Sequence, residues 1–227
     1  MSYNLDGSVS NSRVIFDSGV TGTSLPLSIS CWCFCTNGLD SAVAEGTNMN
    51  MVSVMNSAKT HWNSLLFATA SINQLNARIR AGSVTVANPT PSTATASATG
   101  LVNKWVHAAG VFASETSRFC TVNGTKSSVQ TARRSTTGIV DLVVGATAAS
   151  LTRSFQGYLA EVGIWNIALK DDDINALYRG AKPTAVQPDY LVHYVPFVQN
   201  TNDIVFGQSP KTVQGATPLS DHPARYG

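Results

Sequence analysis

The sequence has few charged residues. Only 12% of its 227 residues are Asp, Glu, Lys or Arg, about half the share that is usual in globular proteins. The formal net charge is +2, and Arg133-Arg134 is the only pair of adjacent basic residues. So weak a positive charge provides too little basic surface to bind a phosphate backbone, and a doublet of this kind is typical of a solvated turn. We therefore expect no nucleic-acid partner.

Long apolar runs are also missing. No stretch approaches the roughly 20 apolar residues that a membrane-spanning helix needs, so we expect no membrane partner. The first thirteen residues, MSYNLDGSVSNSR, lack the charged and apolar regions of a signal peptide. This favours a protein that acts without Sec export, or a sequence whose leader has been removed. A phage structural protein, which lysis releases, fits the first alternative.

Paired acids and catalytic motifs are scarce. Glutamate occurs only at Glu45, Glu115 and Glu161, and no two acids alternate along one predicted strand. Retaining glycosidases need two carboxyl groups about 5 Å apart on one face. Motifs such as the nucleophile elbow, HExxH and the P-loop are absent too. The sequence therefore favours a non-enzymatic protein, and a glycan-degrading enzyme is the least favoured alternative.

Histidine and cysteine spacings predict neither a metal site nor a cofactor. His107 and His193 fall in alternating runs and are interpreted as residues at the edge of the core. Cys31, Cys33 and Cys35 alternate, so on a strand their thiols share one face about 7 Å apart, too far for a disulfide between them. We interpret them as buried small apolar side chains. A cross-strand disulfide to Cys120 and, less favoured, a metal site remain alternatives.

Short β-rich runs separated by turn residues recur along the chain. Strands are predicted at 13–17, 27–36, 51–55, 65–69, 74–80, 104–112, 118–122, 139–145, 155–165 and 191–195. The Pro, Ser, Thr and Ala residues of 88–100 predict an irregular loop with a fringe of strand. Many strands with one helix indicate an all-β sandwich of two antiparallel sheets.

One tight hairpin and one helix are predicted. Asn123-Gly124 predicts a type I′ turn, because both residues tolerate positive φ. Asn123 also begins a glycosylation sequon, but the turn alone explains the two residues. A helix is predicted over 171–179: three aspartates at 171–173 suit its positive end, Ile174, Leu177 and Tyr178 form an apolar stripe, and Gly180 can end it.

A resemblance to a known family rests mainly on Phe155-Gln156-Gly157 and the run through Glu161 to Trp165, followed by the predicted helix. This segment resembles the strand-then-helix signature of laminin-G-like and pentraxin domains in the concanavalin A-like lectin/glucanase superfamily. Further likeness lies in 104–112, 122–124 and 191–194. The resemblance implies a concanavalin A-like jelly roll of two sheets with a concave face. Structural roles are expected for Trp32, Trp105, Asn123, Gly124, Phe155, Gly157, Glu161 and Trp165.

Glu161 is the one acid within an otherwise apolar predicted strand. A buried carboxylate is costly unless it is paired or hydrogen-bonded, so we predict a structural acid bonded to backbone N–H groups or an arginine. A role in binding a ligand or calcium is the alternative. Calcium-dependent pentraxins carry acid and amide ligands just before the Phe-x-Gly motif, but here 145–153 contains neither. The resemblance therefore implies no pentraxin-type calcium site.

The predicted organisation is a laminin-G-like domain over 1–198 and an extended, Pro-containing tail over 199–227 that packs on the domain or on a neighbour. The low charge, the Ser, Thr, Ala and Val content and this tail resemble laminin-G-like domains of phage virion proteins. The first hypothesis is therefore a homo-oligomeric capsid decoration, fibre or tail protein, located in the virion among other virion proteins or sibling subunits. The alternative is an extracellular or cell-surface lectin module that contacts glycans through His61, Trp62 and Tyr158.

Overall fold

A computed structural model describes residues 2–5, 13–16, 25–36, 48–69, 77–85, 88–98, 100–146, 154–197, 201–205 and 207–219. These residues form fifteen strands and one α-helix, α1 (Asp171–Tyr178), with short 3-10 turns at Pro183–Ala185 and Pro188–Tyr190. In chain order the strands are β1 (Ser2–Leu5), β2 (Arg13–Phe16), β3 (Leu27–Cys35), β4 (Asn48–Asn56), β5 (Trp62–Thr69), β6 (Ala77–Thr85), β7 (Asn88–Ser97), β8 (Trp105–Ser114), β9 (Ser117–Val122), β10 (Thr125–Lys126), β11 (Ile139–Val144), β12 (Gly157–Trp165), β13 (Leu191–Val195), β14 (Thr212–Gln214) and β15 (Ala216–Leu219).

The strands pair into two antiparallel sheets that face each other. The first sheet has the order β10-β9-β8-β3-β12-β1-β15, and β13 also pairs with β12; the second has the order β14-β2-β11-β4-β5-β6-β7. One apolar core lies between them, with residues such as Ile29 and Val106 from the first sheet and Val54 and Phe67 from the second. The prediction of an all-β jelly-roll sandwich is confirmed.

Alternation along β3 decides which side chains enter this core. Leu27, Ile29, Cys31, Cys33 and Cys35 are all fully buried between the sheets. All four cysteines of the chain are buried thiols, as the interpretation of small apolar side chains predicted, and no disulfide to Cys120 forms. Burial raises the pKa of the Cys31, Cys33 and Cys120 thiols, so these groups pack in their protonated form.

The prediction of an irregular loop at 88–100 was wrong over most of its length. β7 is a ten-residue strand that pairs with β6 at the edge of the second sheet. An edge strand tolerates proline, because one of its sides makes no ladder hydrogen bonds. Its buried positions carry the small residues Ser92, Ala94 and Ala96, and these alternate with the half-buried Thr93 and Thr95. So weak a hydrophobic alternation does not stand out in the sequence.

The C-terminal segment contributes an edge strand to each sheet. β14 pairs with β2, and β15 pairs with β1. Between β13 and β14, the buried Asp203 carboxylate accepts hydrogen bonds from the backbone N–H of Tyr194 (3.1 Å) and of Val205 (2.9 Å), and its second oxygen contacts His193 Nδ1. These contacts hold 201–205 against β13. The division of the chain at residue 198 remains a prediction.

Both local predictions in this half of the chain are confirmed. Asn123 and Gly124 form a two-residue turn between β9 and β10, with φ of 47° and 77°. α1 begins at Asp171, and Gly180 follows its end with φ of 94°. The helix packs on the outer face of the first sheet, where Ile174 and Leu177 join Trp165 in a second apolar cluster. No helix in the described part of the chain is long and apolar enough to span a bilayer.

Candidate functional site

The outer face of the first sheet is divided into two halves. α1 covers one half through the apolar cluster around Trp165. The other half presents partly exposed aromatic side chains on the three neighbouring strands β8, β3 and β12. Together with two rings beside them they form a surface that we call the aromatic platform, made of Trp32, Phe34, Trp105, His107, Tyr158 and Tyr178.

The first part of the platform is a compact group of three rings. Phe34 lies opposite Trp105 on β8 and opposite Tyr158 on β12. The ring centroids are 5.7 Å apart for Phe34 and Trp105, 5.3 Å for Phe34 and Tyr158, and 6.5 Å for Trp105 and Tyr158. Since each ring stands on a paired strand, the sheet holds the group in place. We call it the first triad.

The second part lies two residues away along β3 and β8. Trp32 is opposite His107, and their rings meet edge to face at 5.3 Å. Tyr178, from the end of α1, stacks on Trp32 at 6.4 Å and is 6.2 Å from His107. Tyr178 is 38% exposed, so this group also reaches solvent. We call it the second triad.

His107 is the polar member of the second triad. Its Nε2 is hydrogen-bonded to the Ser30 hydroxyl at 2.9 Å, and the side chain is buried. Burial lowers the pKa of His107 to about 3, because desolvation disfavours the charged imidazolium. The imidazole is therefore neutral at physiological pH.

The Asn123-Gly124 turn borders the second triad. The backbone N–H of His107 donates to Asn123 Oδ1, and the backbone N–H of Asn123 donates to the His107 carbonyl, both at 2.9 Å. A Cβ on Gly124 would lie 3.2 Å from Tyr178 and 2.9 Å from Asn175 Oδ1. The turn therefore fits closely against the end of α1 and helps to set the position of the Tyr178 ring.

Two nitrogen atoms of the platform have unused hydrogen-bonding capacity. Trp105 Nε1 and His107 Nδ1 are buried and have no hydrogen-bond partner within the described ranges. A buried polar group without a partner costs about 1–3 kcal/mol. Since neither atom has exposed surface, a ligand hydroxyl would reach them only after a shift of the rings that cover them.

The residues proposed as glycan contacts do not lie on one surface. Tyr158 belongs to the first triad. Trp62 lies on the outer face of the second sheet, where it packs against Met55, Val143 and Ala146. His61 sits in the turn before β5, and its Nδ1 accepts a hydrogen bond from the backbone N–H of Thr137 at 3.3 Å. The sandwich separates His61 and Trp62 from Tyr158, and glycan contacts by the former pair remain a prediction.

The platform residues Trp32 and Trp105 were expected to be structural, and Phe34 and Tyr178 were not among the predicted site residues, Tyr178 being placed only in the apolar stripe of the helix. The signal that points to them lies in the alternation of Cys31-Trp32-Cys33-Phe34-Cys35. If the thiols face the core, the two aromatic rings must face outward. In a two-sheet sandwich the opposite sheet covers only the core face of β3. The rings on the outer face are then exposed unless another element packs on them.

Gly157 begins β12, and Glu161 lies where β12 changes partner from β1 to β13. Gly157 has φ of 144°, and a Cβ there would overlap the carbonyl oxygen of Phe34. Glu161 is buried with φ of 52°, between the part of β12 that pairs with β1 and the part that pairs with β13. Its carboxylate accepts a hydrogen bond from the Tyr194 hydroxyl. For Glu161 the sequence predicted backbone N–H groups or an arginine as partners, whereas the structure shows a tyrosine hydroxyl as a partner. The structural roles of Gly157 and Glu161 remain predictions.

Phe155 and Trp165 are buried on opposite faces of the first sheet. Phe155 lies in the core, with its ring centroid 6.1 Å from that of Phe67. Trp165 packs under α1, and its Nε1 donates to the Val186 carbonyl at 2.8 Å. Both are thus packing residues of the sandwich.

No group of three His, Cys, Asp or Glu side chains suited to a metal ion occurs within the residues that the structure describes. Most of the loop at 145–153, where calcium-dependent pentraxins place their ligands, lies outside those residues.

Comparison with known proteins decides the family. A family model described as the concanavalin A-like lectin/glucanases superfamily (Laminin_G_3) matches residues 6–175. The chain belongs to this superfamily. The resemblance to its laminin-G-like members is thereby confirmed. A search of curated protein sequences gave no match.

Several solved structures share the fold with this chain at low sequence identity. A putative carbohydrate binding protein from Bacteroides ovatus is 14% identical, with a TM-score of 0.61 over 99% of this chain and 61% of that one. A heptameric SAP-like pentraxin from Limulus polyphemus is 12% identical, with a TM-score of 0.57 over 78% of this chain and 81% of that one. The enzymatically active domain of tailspike protein 2 from bacteriophage CBA120 is 10% identical, with a TM-score of 0.52 over 80% of this chain and 28% of that one.

The matched shares differ between these structures. The chain spans most of the pentraxin but only 61% of the Bacteroides protein and 28% of the tailspike chain. At these identities the likeness shows the fold alone, and the fold of this superfamily carries many different activities.

Proposed function

We propose that this superfamily member is a carbohydrate-binding module whose glycan contacts are made by the aromatic platform. The observation that carries the proposal is the set of four partly exposed aromatic side chains, Trp32, Phe34, Trp105 and Tyr158, on one sheet face. Exposed apolar surface is unfavourable, at about 25 cal/mol per Å², so a contiguous patch of large rings marks a binding surface. Flat rings suit the apolar faces of sugar rings, which stack on them.

The geometry also favours a binding module over a hydrolase. None of the six platform residues is a carboxylic acid, so the platform itself offers no acid and base pair for glycoside hydrolysis. Five of its six rings stand on paired strands rather than on loops, which keeps them in a fixed arrangement before a ligand arrives. Such a surface loses little conformational entropy on binding.

We expect a glycan array to show binding that Phe34→Ala and Tyr158→Ala each weaken by about 10- to 50-fold. This is the loss of a central aromatic contact worth about 1.4–2.3 kcal/mol. The control is Tyr190→Ala, since Tyr190 is an exposed tyrosine outside the platform, and this variant should bind like the wild type. We expect EDTA to leave binding unchanged. Thermal melting of each variant shows whether it is folded.

Two results would contradict the platform as the binding surface. One is unchanged affinity of folded Phe34→Ala and Tyr158→Ala proteins. The other is a loss of binding in Trp62→Phe with the platform variants unaffected, which would transfer the site to the second sheet.

A virion role is the second candidate. It is favoured by the likeness to a phage tailspike protein and by the low content of charged residues. In this role the module works as a capsid decoration, fibre or tail component, self-associates with sibling subunits and contacts other virion proteins. Glycan binding by the aromatic platform and a location in the virion are compatible, because a virion surface protein can bind host glycans.

The virion role predicts that the purified chain forms a stable homo-oligomer and is present in purified particles. Sedimentation velocity at micromolar concentration measures the first, and mass spectrometry of gradient-purified particles measures the second. A monomer at all concentrations, together with absence from the particles, would contradict this role. An extracellular or cell-surface lectin module would then be the remaining hypothesis.

A further inference from the structure

The aromatic platform consists of two neighbouring triads that together make one patch. Trp32 and Phe34 are two residues apart on β3, as are His107 and Trp105 on β8, which places corresponding positions about 7 Å apart along the strands. Within each triad the ring centroids lie between 5.3 and 6.5 Å apart. Each triad is therefore a compact unit of its own.

The two triads differ in chemistry. Phe34, Trp105 and Tyr158 form an aromatic floor that belongs entirely to the sheet. The second triad combines the Trp32 ring with the neutral His107 imidazole and with Tyr178, which comes from α1. The helix therefore contributes a side wall to the second triad and none to the first.

We propose that the two triads are adjacent subsites for consecutive sugar residues of a neutral oligosaccharide. This inference rests on the proposed carbohydrate-binding function and goes further by naming the class of ligand. The repeat of about 7 Å along the strands separates two stacking positions that one sugar ring cannot fill together. A chain of at least two sugar residues occupies both stacking positions and gains binding free energy from each contact.

The preference for a neutral chain follows from the residues that form the subsites. Five of the six side chains carry no charge at neutral pH by their chemical type, and burial keeps His107 neutral. Stacking on uncharged rings depends little on ionic strength, whereas binding of an anionic glycan by exposed cations is screened by salt.

Tyr178 is the residue that separates the two subsites experimentally. It is 38% exposed at the end of α1, so its truncation should leave the fold intact. Tyr158 in the first triad is the corresponding tyrosine on the sheet, and Tyr190 is again the control outside the platform. All three variants replace a tyrosine with alanine, so they remove the same atoms from three places.

The test is isothermal titration of the full chain with sets of neutral sugars of increasing length: glucose, cellobiose and cellotetraose; mannose, mannobiose and mannotetraose; arabinose, arabinobiose and arabinotriose. For the set that binds, we expect affinity to rise about tenfold or more from the monosaccharide to the longest member. Tyr178→Ala should remove most of this gain and reduce the weak monosaccharide affinity by a smaller factor, because a single sugar can still stack on the first triad. Tyr158→Ala should weaken every member, and Tyr190→Ala none. Raising NaCl from about 0.05 to about 0.5 M should change affinity less than about twofold.

The outcomes distinguish this inference from the function on which it rests. A monosaccharide that binds as tightly as the longest member of its set, or a Tyr178→Ala protein that keeps the full dependence on chain length, overturns the two subsites while carbohydrate binding stands. Binding that appears only for acidic glycans and is lost in salt overturns the neutral class. No binding of any sugar on the array or in these sets overturns the proposed function itself.

Discussion

Gly157→Ala is expected to leave the protein largely unfolded. A Cβ at this position would overlap the carbonyl oxygen of Phe34 and lie 3.0 Å from Cys35 Cα. Both atoms belong to the backbone of β3 in the middle of the first sheet, so no rotation of a side chain relieves the overlap. The backbone φ of 144° adds strain for any residue with a Cβ. We expect the free energy of unfolding to fall by more than about 4 kcal/mol, which is exceptional for one substitution.

Gly207→Ala is the matched control for this substitution. Gly207 also has a positive φ, 65°, but a Cβ there would meet nothing within 4 Å. This variant carries only the conformational cost of about 1–2 kcal/mol. Urea unfolding followed by circular dichroism compares the two. If the free energies of unfolding of Gly157→Ala and Gly207→Ala agree within about 1 kcal/mol, β12 and β3 are not packed as closely at Gly157 as the structure shows.

Below about pH 6.5, the protein is expected to lose stability more steeply than its His107→Gln variant. His107 has a pKa of about 3 in the folded chain, against an ordinary value of 6.5. Between these pH values the unfolded chain takes up a proton on His107 that the folded chain does not. The contribution of His107 to the free energy of unfolding is therefore fully present above pH 6.5 and is lost as the pH falls towards 3. The loss from this group is at most about 1.4 kcal/mol per pH unit. Ser30, Trp32 and Tyr178 lie against the ring, and none of them carries a compensating charge.

Urea unfolding at several pH values between 7.5 and 4 measures this difference. His107→Gln is the informative variant, because its amide can keep a hydrogen bond to Ser30 but cannot titrate. His61→Gln, in the surface turn before β5, controls for removal of a histidine. Parallel stability curves for the wild type and His107→Gln would contradict a neutral, buried His107, as would an NMR titration of its ring near pH 6.5.

The fold class followed from local pattern because the decisive signals are short-range. Period-two alternation at 27–36 and the Asn123-Gly124 dipeptide each depend on neighbouring residues, and both correspond to the strand and the turn of the structure. β7 was missed because its buried positions hold alanine, which contributes little hydrophobic contrast, and because proline usually indicates a loop. Edge position, which makes proline tolerable there, is a property of the whole sheet.

The candidate site shows the same limit. Alternation with the thiols of β3 places Trp32 and Phe34 on the outer face, and this is visible in the sequence. Their exposure is not, because it depends on which half of that face α1 covers. Tyr178 could not be assigned to the site from sequence, since it lies 146 positions after Trp32, with which it stacks. Tyr158 was recognised as a candidate, but its neighbours Phe34 and Trp105 come from other strands.

By itself the sequence determined a chain of low charge that forms an all-β sandwich, with cysteines on the core face of β3 and aromatic rings on its outer face. These properties are encoded locally, in composition, in alternation and in turn chemistry. Only the tertiary structure decided that rings from β3, β8, β12 and α1 meet on one surface, and that the helix stops short of covering them. The physical reason is that exposure is set by long-range packing, in which a helix at 171–178 determines whether side chains at 32 and 34 reach solvent.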